Sequence, residues 1–188
     1  PQNKCSGTWK VCSPETVGAF SATAYFFGRK LHAALNVPVG LINSSWGGTA
    51  IEAWTSMDVQ ESVAGLQPVF AQWKKDRAKW TPESAARDHK IALARWEKRV
   101  VVAKEAKKRK PRRPRKRLNP VLNQNHPANL YNGMIAPLIP YAIRGVVWYQ
   151  GERNARNIDT ATRYRIQMPI MIADWRRRWG HEFAFGFV

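Results

Sequence analysis

No run of about 18 consecutive apolar residues occurs in this sequence, which excludes a transmembrane helix. Cysteine is scarce: Cys5 and Cys12 allow either one small loop-closing disulfide or two free thiols. With no second pair, and with His32, His89, His126 and His181 lacking ligand spacing to one another, no metal is expected. The Gly-x4-Gly-Lys spacing of a phosphate-binding loop is missing, as is a Gly-x-Ser-x-Gly nucleophile elbow. Ser44 and Ser45 are therefore weak nucleophile candidates. No signal-peptide pattern is visible after Pro1, which carries no information on targeting. No internal repeat is apparent.

Acidic side chains are also few, 13 Asp and Glu against 31 Lys and Arg, leaving a net charge of +18. Half of that excess sits in one segment, Lys104 to Arg117, KEAKKRKPRRPRKR, with ten basic residues and one acid. Such a run binds nucleic acid, a polyanionic glycan or a membrane surface. Alternatively it is a solvated, proline-broken linker held extended by its own repulsion. No aromatic residue is interleaved there to stack a base, which favours the linker.

What is present is enough for a folded domain: 188 residues, 44% hydrophobic, with nine Trp. SPETVGAFSATAYFFGRKLHAALN predicts one helix, with Ser13 as N-cap, Pro14 in the first turn and Asn36 as the stop. Phe20, Ala24, Phe27, Leu31 and Leu35 give it one apolar face. VPVGLINSS predicts a strand buried on both faces. WGGT then turns the chain into a short helix, AIEAW. From about Pro68 to Lys110 the composition turns helical and charged, with a break at Thr81-Pro82, and reads as a helical hairpin or excursion within residues 60–120. HPANLYNGMIAPLIP is a mixed loop and short helix, AIRGVVWYQ a second buried strand, Asp159 to Trp179 a third helix and HEFAFGFV a third strand. On that helix Tyr164, Met168, Met171 and Trp175 share a face, and Pro169 is a candidate kink.

The alternation predicts an α/β domain with a parallel sheet, in which ligands sit beyond the carboxyl ends of the strands. Two polar, glycine-bearing turns fall there, SSWGGT and QGERN. Gly47, Gly48 and Thr49 form either an anion nest or oxyanion hole, or simply a tight turn. Gln150 and Glu152 face one side of the chain around Gly151. Glu152 suits the orienting of a histidine, and the Gln150 amide suits a developing oxyanion. The alternative for Glu152 is a surface ion pair with Arg153 or Arg144, which contributes little. Trp46, Thr49 and Asn154 in these turns, and His126 in the loop before the second strand, are candidate substrate contacts.

Taken together, CSPETVGAFSATAYFFGRKLH, VPVGLINSSWGGTAIEAW, LYNGMIAPLIPYAIRGVVWYQGERNA and FAFGFV resemble the sialate O-acetylesterase family of SGNH-hydrolase-like carbohydrate esterases. The resemblance implies a flavodoxin-like three-layer α/β/α fold, here incomplete at both ends, with residues 60–120 as a helical basic insertion. It implies deacetylation of O-acetylated sugars by a Ser-His-acid mechanism, with no cofactor, in a secreted, periplasmic or lysosomal protein. Gly47 or Gly48 and Gln150 would bind the oxyanion, and Glu152 would be the acidic partner of the histidine. The family's Gly-Gln-Ser-Asn block has no match in Pro1 to Thr16, and its Asp-x-x-His block lies beyond the third strand. The chain is thus expected to be the middle of a longer esterase. Arg153 stands where the family has Ser, a cation that favours ionised Glu152 and crowds the pocket. A non-catalytic glycan-binding module, or polyanion binding through Lys104–Arg117, are the alternative readings.

Overall fold

The computed structural model describes residues 4–188. Helix α1 (Pro14–Val17) starts where Ser13 donates its backbone N–H to Thr16 Oγ1 at 2.9 Å. It stops at Gly18, and α2 (Ala22–Leu35) begins afresh behind Ser21, whose hydroxyl accepts from Ala24 N. The single expected helix is therefore two, because a second capping serine satisfies the free N–H groups of a new first turn. Asn36 ends α2 in the left-handed conformation (φ 51°). The helix rests on the following segment through Gly28, where a Cβ would lie 2.6 Å from Leu41 Cδ1.

Residues 37–46 form no strand, which corrects the expected VPVGLINSS strand. A strand exists only through pairing, and among the described residues no segment pairs with this one. The apolar face of α2 is only partly covered, with Phe20, Ala24 and Leu31 half-buried. Phe27 and Leu35 remain 46% and 60% exposed, with Val37 and Ile42 beside them in sequence also exposed.

After a short 3-10 turn (Ile51–Ala53) come α3 (Met57–Glu61), α4 (Gln67–Ala78) and α5 (Pro82–Glu105). The break between α4 and α5 falls at Thr81-Pro82 as predicted, with Thr81 Oγ1 accepting from Ser84 N and Ser84 Oγ from Thr81 N. Residues 131–138 wind through a π turn and a 3-10 turn into β1 (Gly145–Trp148). Helix α6 (Ile158–Trp179) continues through Pro169, and β2 (Ala184–Phe187) follows it. β1 and β2 pair in parallel, Gly145 opposite Ala184 and Trp148 opposite Phe187. The result is a helix-rich α/β arrangement with a two-stranded parallel sheet, not the three strands expected. The sheet is less buried than a central parallel sheet, since each strand keeps an unpaired edge.

The core lies where α6 meets β1 and the turn after Gly48. Met171 and Trp175 are buried, and Tyr164 and Met168 pack against the same cluster, so the predicted face of α6 is the one that packs. Trp148 stands edge-on to Trp54 at 5.9 Å and to Trp175 at 5.8 Å. Each indole N–H has an acceptor: Trp54 donates to Thr49 Oγ1, Trp148 to Tyr164 Oη and Trp175 to the Trp54 carbonyl. Buried tryptophan is tolerated on those terms. Cys5 and Cys12 are free thiols, both exposed, which settles the alternatives left by the sequence. Among the described residues no helix is long and apolar enough to cross a membrane.

Candidate functional site

The two glycine-bearing turns, about a hundred residues apart in sequence, meet. Gln150 Nε2 donates to the Thr49 carbonyl at 2.8 Å and to Asn154 Oδ1 at 2.9 Å. Asn154 Oδ1 also accepts from Ile51 N at 3.1 Å, while Asn154 Nδ2 donates to Glu52 Oε2 at 3.0 Å. Asn125 Oδ1 takes the neighbouring Ala50 N at 2.8 Å. Two successive N–H groups at the start of the 3-10 turn are thus capped by asparagines from distant loops. This is the buried-polar accounting that a turn in the interior requires.

Above that network opens a cleft of about 520 Å³. One wall is Trp46, Gly47, Gly48 and Thr49; the other is Tyr149, Gln150 and Glu152, with Arg153 and Arg156 at one side. Gly48 has φ +72°, a conformation that side chains rarely adopt, and nothing lies within 4 Å of where a Cβ on Gly47 or Gly48 would stand. Among the described residues, no protein acceptor takes the Gly47, Gly48 or Thr49 N–H. Glu152 is exposed and has no ion pair among the described residues, with either Arg153 or Arg144. Tyr164 donates to the Gln150 carbonyl at 3.0 Å. Burial raises the Tyr164 phenol, the Trp148 indole opposes this and the Glu152 charge reinforces it, so the hydroxyl stays a donor.

Several expected roles change once the side chains are placed. Both N–H groups of Gln150 are committed to protein acceptors, so it braces the two turns together; its Oε1 is buried with no partner. Asn154 is 4% exposed and its amide is fully engaged, so it positions the turns and does not line the cleft. The Thr49 hydroxyl donates to the Trp46 carbonyl and accepts from the Trp54 indole, leaving its backbone to face the cleft. His126 is not at the cleft at all. It packs against Trp73 of α4 with ring centroids 5.0 Å apart, and Nδ1 lies 3.1 Å from the Pro127 carbonyl. Ser44 donates to the Met134 carbonyl and Ser45 to Asn43 Oδ1. Among the described residues, no Ser, Cys or His lines the cleft.

Sequence reading missed Asn125, Glu52, Tyr149 and Arg156. Asn125 precedes the histidine that drew attention, and Glu52 lies in the quoted AIEAW turn; neither has a local pattern that marks it as a brace. A larger hollow of about 730 Å³ runs along α6, lined by Met168, Pro169, Ile172 and Phe187 with Arg165, Arg176 and Glu182 nearby. It is mainly apolar and brings together no two functional turns, so the smaller cleft is the better site. Among the described residues no three His, Cys, Asp or Glu side chains gather closely enough to hold a metal ion.

Burial lowers the His126 imidazole below its ordinary value, the Pro127 carbonyl opposing and the Arg77 charge assisting. A base whose folded pKa is depressed binds fewer protons folded than unfolded just below pH 6.5, so stability falls as pH drops through that window. Thermal melts between about pH 7.5 and 5 are therefore expected to show a decline that His126→Phe flattens. An unchanged profile would mean that His126 is not the group responsible.

No family model matches the chain. It is 32% identical over 177 residues to a sialate O-acetylesterase of Rattus norvegicus, covering 89% of this chain and 29% of that protein. With a sialate O-acetylesterase of Mus musculus the identity is 33% over 180 residues, again 89% of this chain and 29% of the relative. Among solved structures, a carbohydrate acetylesterase from Xanthomonas citri matches with a TM-score of 0.65 and 30% identity, covering 100% of this chain and 30% of that one. By sequence and by fold, then, its relatives are carbohydrate acetylesterases. Within that class the chain is homologous to the sialate O-acetylesterase family, and it spans less than a third of the length of those two relatives.

Proposed function

We propose that these residues form part of one carbohydrate O-acetylesterase domain, with residues 60–120 as an insertion in it, and that the cleft between the two turns holds the acetyl ester. The observation that carries this reading is the convergence of WGGT and QGE in one cleft, on a chain homologous to sialate O-acetylesterases. Free N–H groups at Gly47 and Gly48 suit the oxyanion of a tetrahedral intermediate. Exposed, unpaired Glu152 suits the orienting of a catalytic histidine and the stabilising of its imidazolium. Trp46 and Tyr149, 53% and 63% exposed, offer flat faces to a sugar ring. Among the described residues no Ser, Cys or His lines the cleft, which supports a nucleophile and base supplied by sequence outside these 188 residues. The uncovered apolar side chains of α2 support the same reading, as part of a larger domain. By analogy with such esterases the protein works outside the cytoplasm.

The test is acetate release from O-acetylated sialic acid. The 188 residues alone, shown by circular dichroism to be folded, are expected to act no faster than buffer. The protein with its flanking sequence is expected to turn over, and Glu152→Gln to lower kcat on the order of 10²-fold or more. Brisk hydrolysis by the 188 residues alone, abolished by Glu152→Ala, would place the nucleophile within them and overturn the assignment. A folded, longer protein that binds the sugar and never releases acetate would make this a glycan-binding module.

A further inference from the structure

Residues 67–117 carry 19 of the 31 basic side chains and 5 of the 13 acidic ones, so +14 of the +18 lies in α4, α5 and the segment after them. That segment is not a free linker. Residues 108–119 form no helix or strand, and they run back along α5 in a fixed register. Trp96 Nε1 donates to the Pro111 carbonyl at 2.8 Å, His89 Nε2 lies 3.3 Å from the Pro114 carbonyl, and Trp80 Nε1 donates to the Arg117 carbonyl at 3.2 Å. The first two anchors are seven residues apart on the helix, roughly 10 Å of rise. Their acceptors are three residues apart, about 10 Å of extended chain. One strap step therefore matches two helical turns, and the register holds.

The strap turns Pro111 and Pro114 towards the helix and leaves Arg112, Arg113, Arg115, Lys116 and Arg117 in solvent. Lys110 and Arg113 lie over the Trp96 ring at 5.2 and 5.9 Å. Two acids meet the strap: Asp88, 3.6 Å from Arg117 and shared with Arg87, and Glu83, which feels the Lys116 charge. Like charges held side by side without counter-charges repel one another. A structure that anchors them in a row therefore presents a cationic rail whose natural complement is a linear polyanion.

We propose that the rail binds an acidic polysaccharide, a chain bearing regularly spaced carboxylates. A nucleic acid is the poorer fit. The strap itself has no aromatic residue, and strap cations cover the Trp96 ring behind it, so the rail has no interleaved aromatic faces on which bases could stack. The cleft points to the same ligand chemistry independently, because it sets Arg153 and Arg156 beside Trp46 and Tyr149, cations beside sugar-sized aromatic faces. The choice of polymer rests on the esterase reading; the rail itself does not.

The probe is polygalacturonate, which carries carboxylates and no acetyl groups, titrated by calorimetry into the intact protein alongside neutral dextran, duplex DNA and phosphatidylserine vesicles. Saturable binding of polygalacturonate is expected, none of dextran, with a loss of tenfold or more between roughly 50 and 200 mM salt. Exchanging the exposed Arg112, Arg113 and Arg115 for Glu is expected to weaken binding at least about tenfold at low salt in a protein that circular dichroism shows to be folded. Trp96→Phe keeps the charges, removes one anchor and is expected to weaken binding several-fold. Absence of saturable binding at low salt, binding unaffected by the triple exchange, or tighter binding of DNA or vesicles than of polygalacturonate would each overturn the proposal. Acetate release is measured separately: binding without hydrolysis removes the esterase reading alone, and hydrolysis without binding removes the rail alone.

Discussion

Trp175→Ala is expected to cost about 3–5 kcal/mol of folding stability, the largest effect of any single substitution considered. The side chain is 3% exposed and lies among Trp148, Phe185 and Trp179 at centroid distances of 5.8, 6.1 and 6.3 Å. Its removal leaves a cavity that rigid aromatic neighbours collapse into poorly, and it orphans the buried Trp54 carbonyl that the indole satisfies. Because domains have only about 5–15 kcal/mol in hand, a loss of this size brings the fold close to the threshold of unfolding. Urea melts followed by circular dichroism provide the measurement. Trp175→Phe, which keeps most of the apolar surface and loses the donor, is expected to lose less than half as much. A midpoint for Trp175→Ala equal to that of the parent protein would show that the stability resides elsewhere.

The second large effect concerns the brace under the cleft. Asn154→Asp is almost isosteric, and Oδ1 still accepts from Ile51 N and Gln150 Nε2. The atom that donates to Glu52 Oε2 at 3.0 Å, however, becomes a second carboxylate oxygen. Two carboxylates at that distance cannot both ionise comfortably, and the expected cost at neutral pH is roughly 2–4 kcal/mol. A proton shared between them restores a donor. The pair then titrates higher in the folded state than in the unfolded one, so its unfavourable effect shrinks as pH falls towards about 5. Asn154→Ala instead leaves the buried Ile51 N–H without its acceptor and is expected to cost about 2 kcal/mol with no such recovery. Comparing chemical melts of both variants at the two pH values separates the explanations. Equal pH dependence would mean that Glu52 does not face the substituted oxygen.

Both predictions concern contacts that no local pattern announces, whereas much of the helical framework is local. The start of α5 follows from Thr81, Pro82 and Ser84 alone, since the cap bonds span three residues. The packed face of α6 follows from the three- and four-residue spacing of Tyr164, Met168, Met171 and Trp175. A parallel sheet was also expected, and the pair 145–148 and 184–187 is parallel because a helix joins the two apolar runs. The failures share a cause. Val37 to Ser45 has strand composition, but a strand needs a neighbour and composition supplies none. Ser13 to Asn36 has helical periodicity, which does not reveal that Ser21 caps a second helix. The basic run looked like a linker because its anchors lie earlier in the chain, His89 and Trp96 on α5 and Trp80 in the turn before it.

The same division applies to the cleft. Residue types and short-range order already placed Gly47, Gly48, Gln150 and Glu152 in two polar turns, and the motifs named the family that homology supports. Which of those residues face the cleft is a matter of contacts between residues about a hundred positions apart, such as Gln150 with Thr49 and Asn154 with Ile51. Hydrogen-bonding capacity is finite, and an amide whose donors are both used inside the protein has none left for a ligand. Turn geometry and helix caps are written into a few adjacent residues. The sorting of polar side chains into braces and cleft walls depends on which distant groups fold against them.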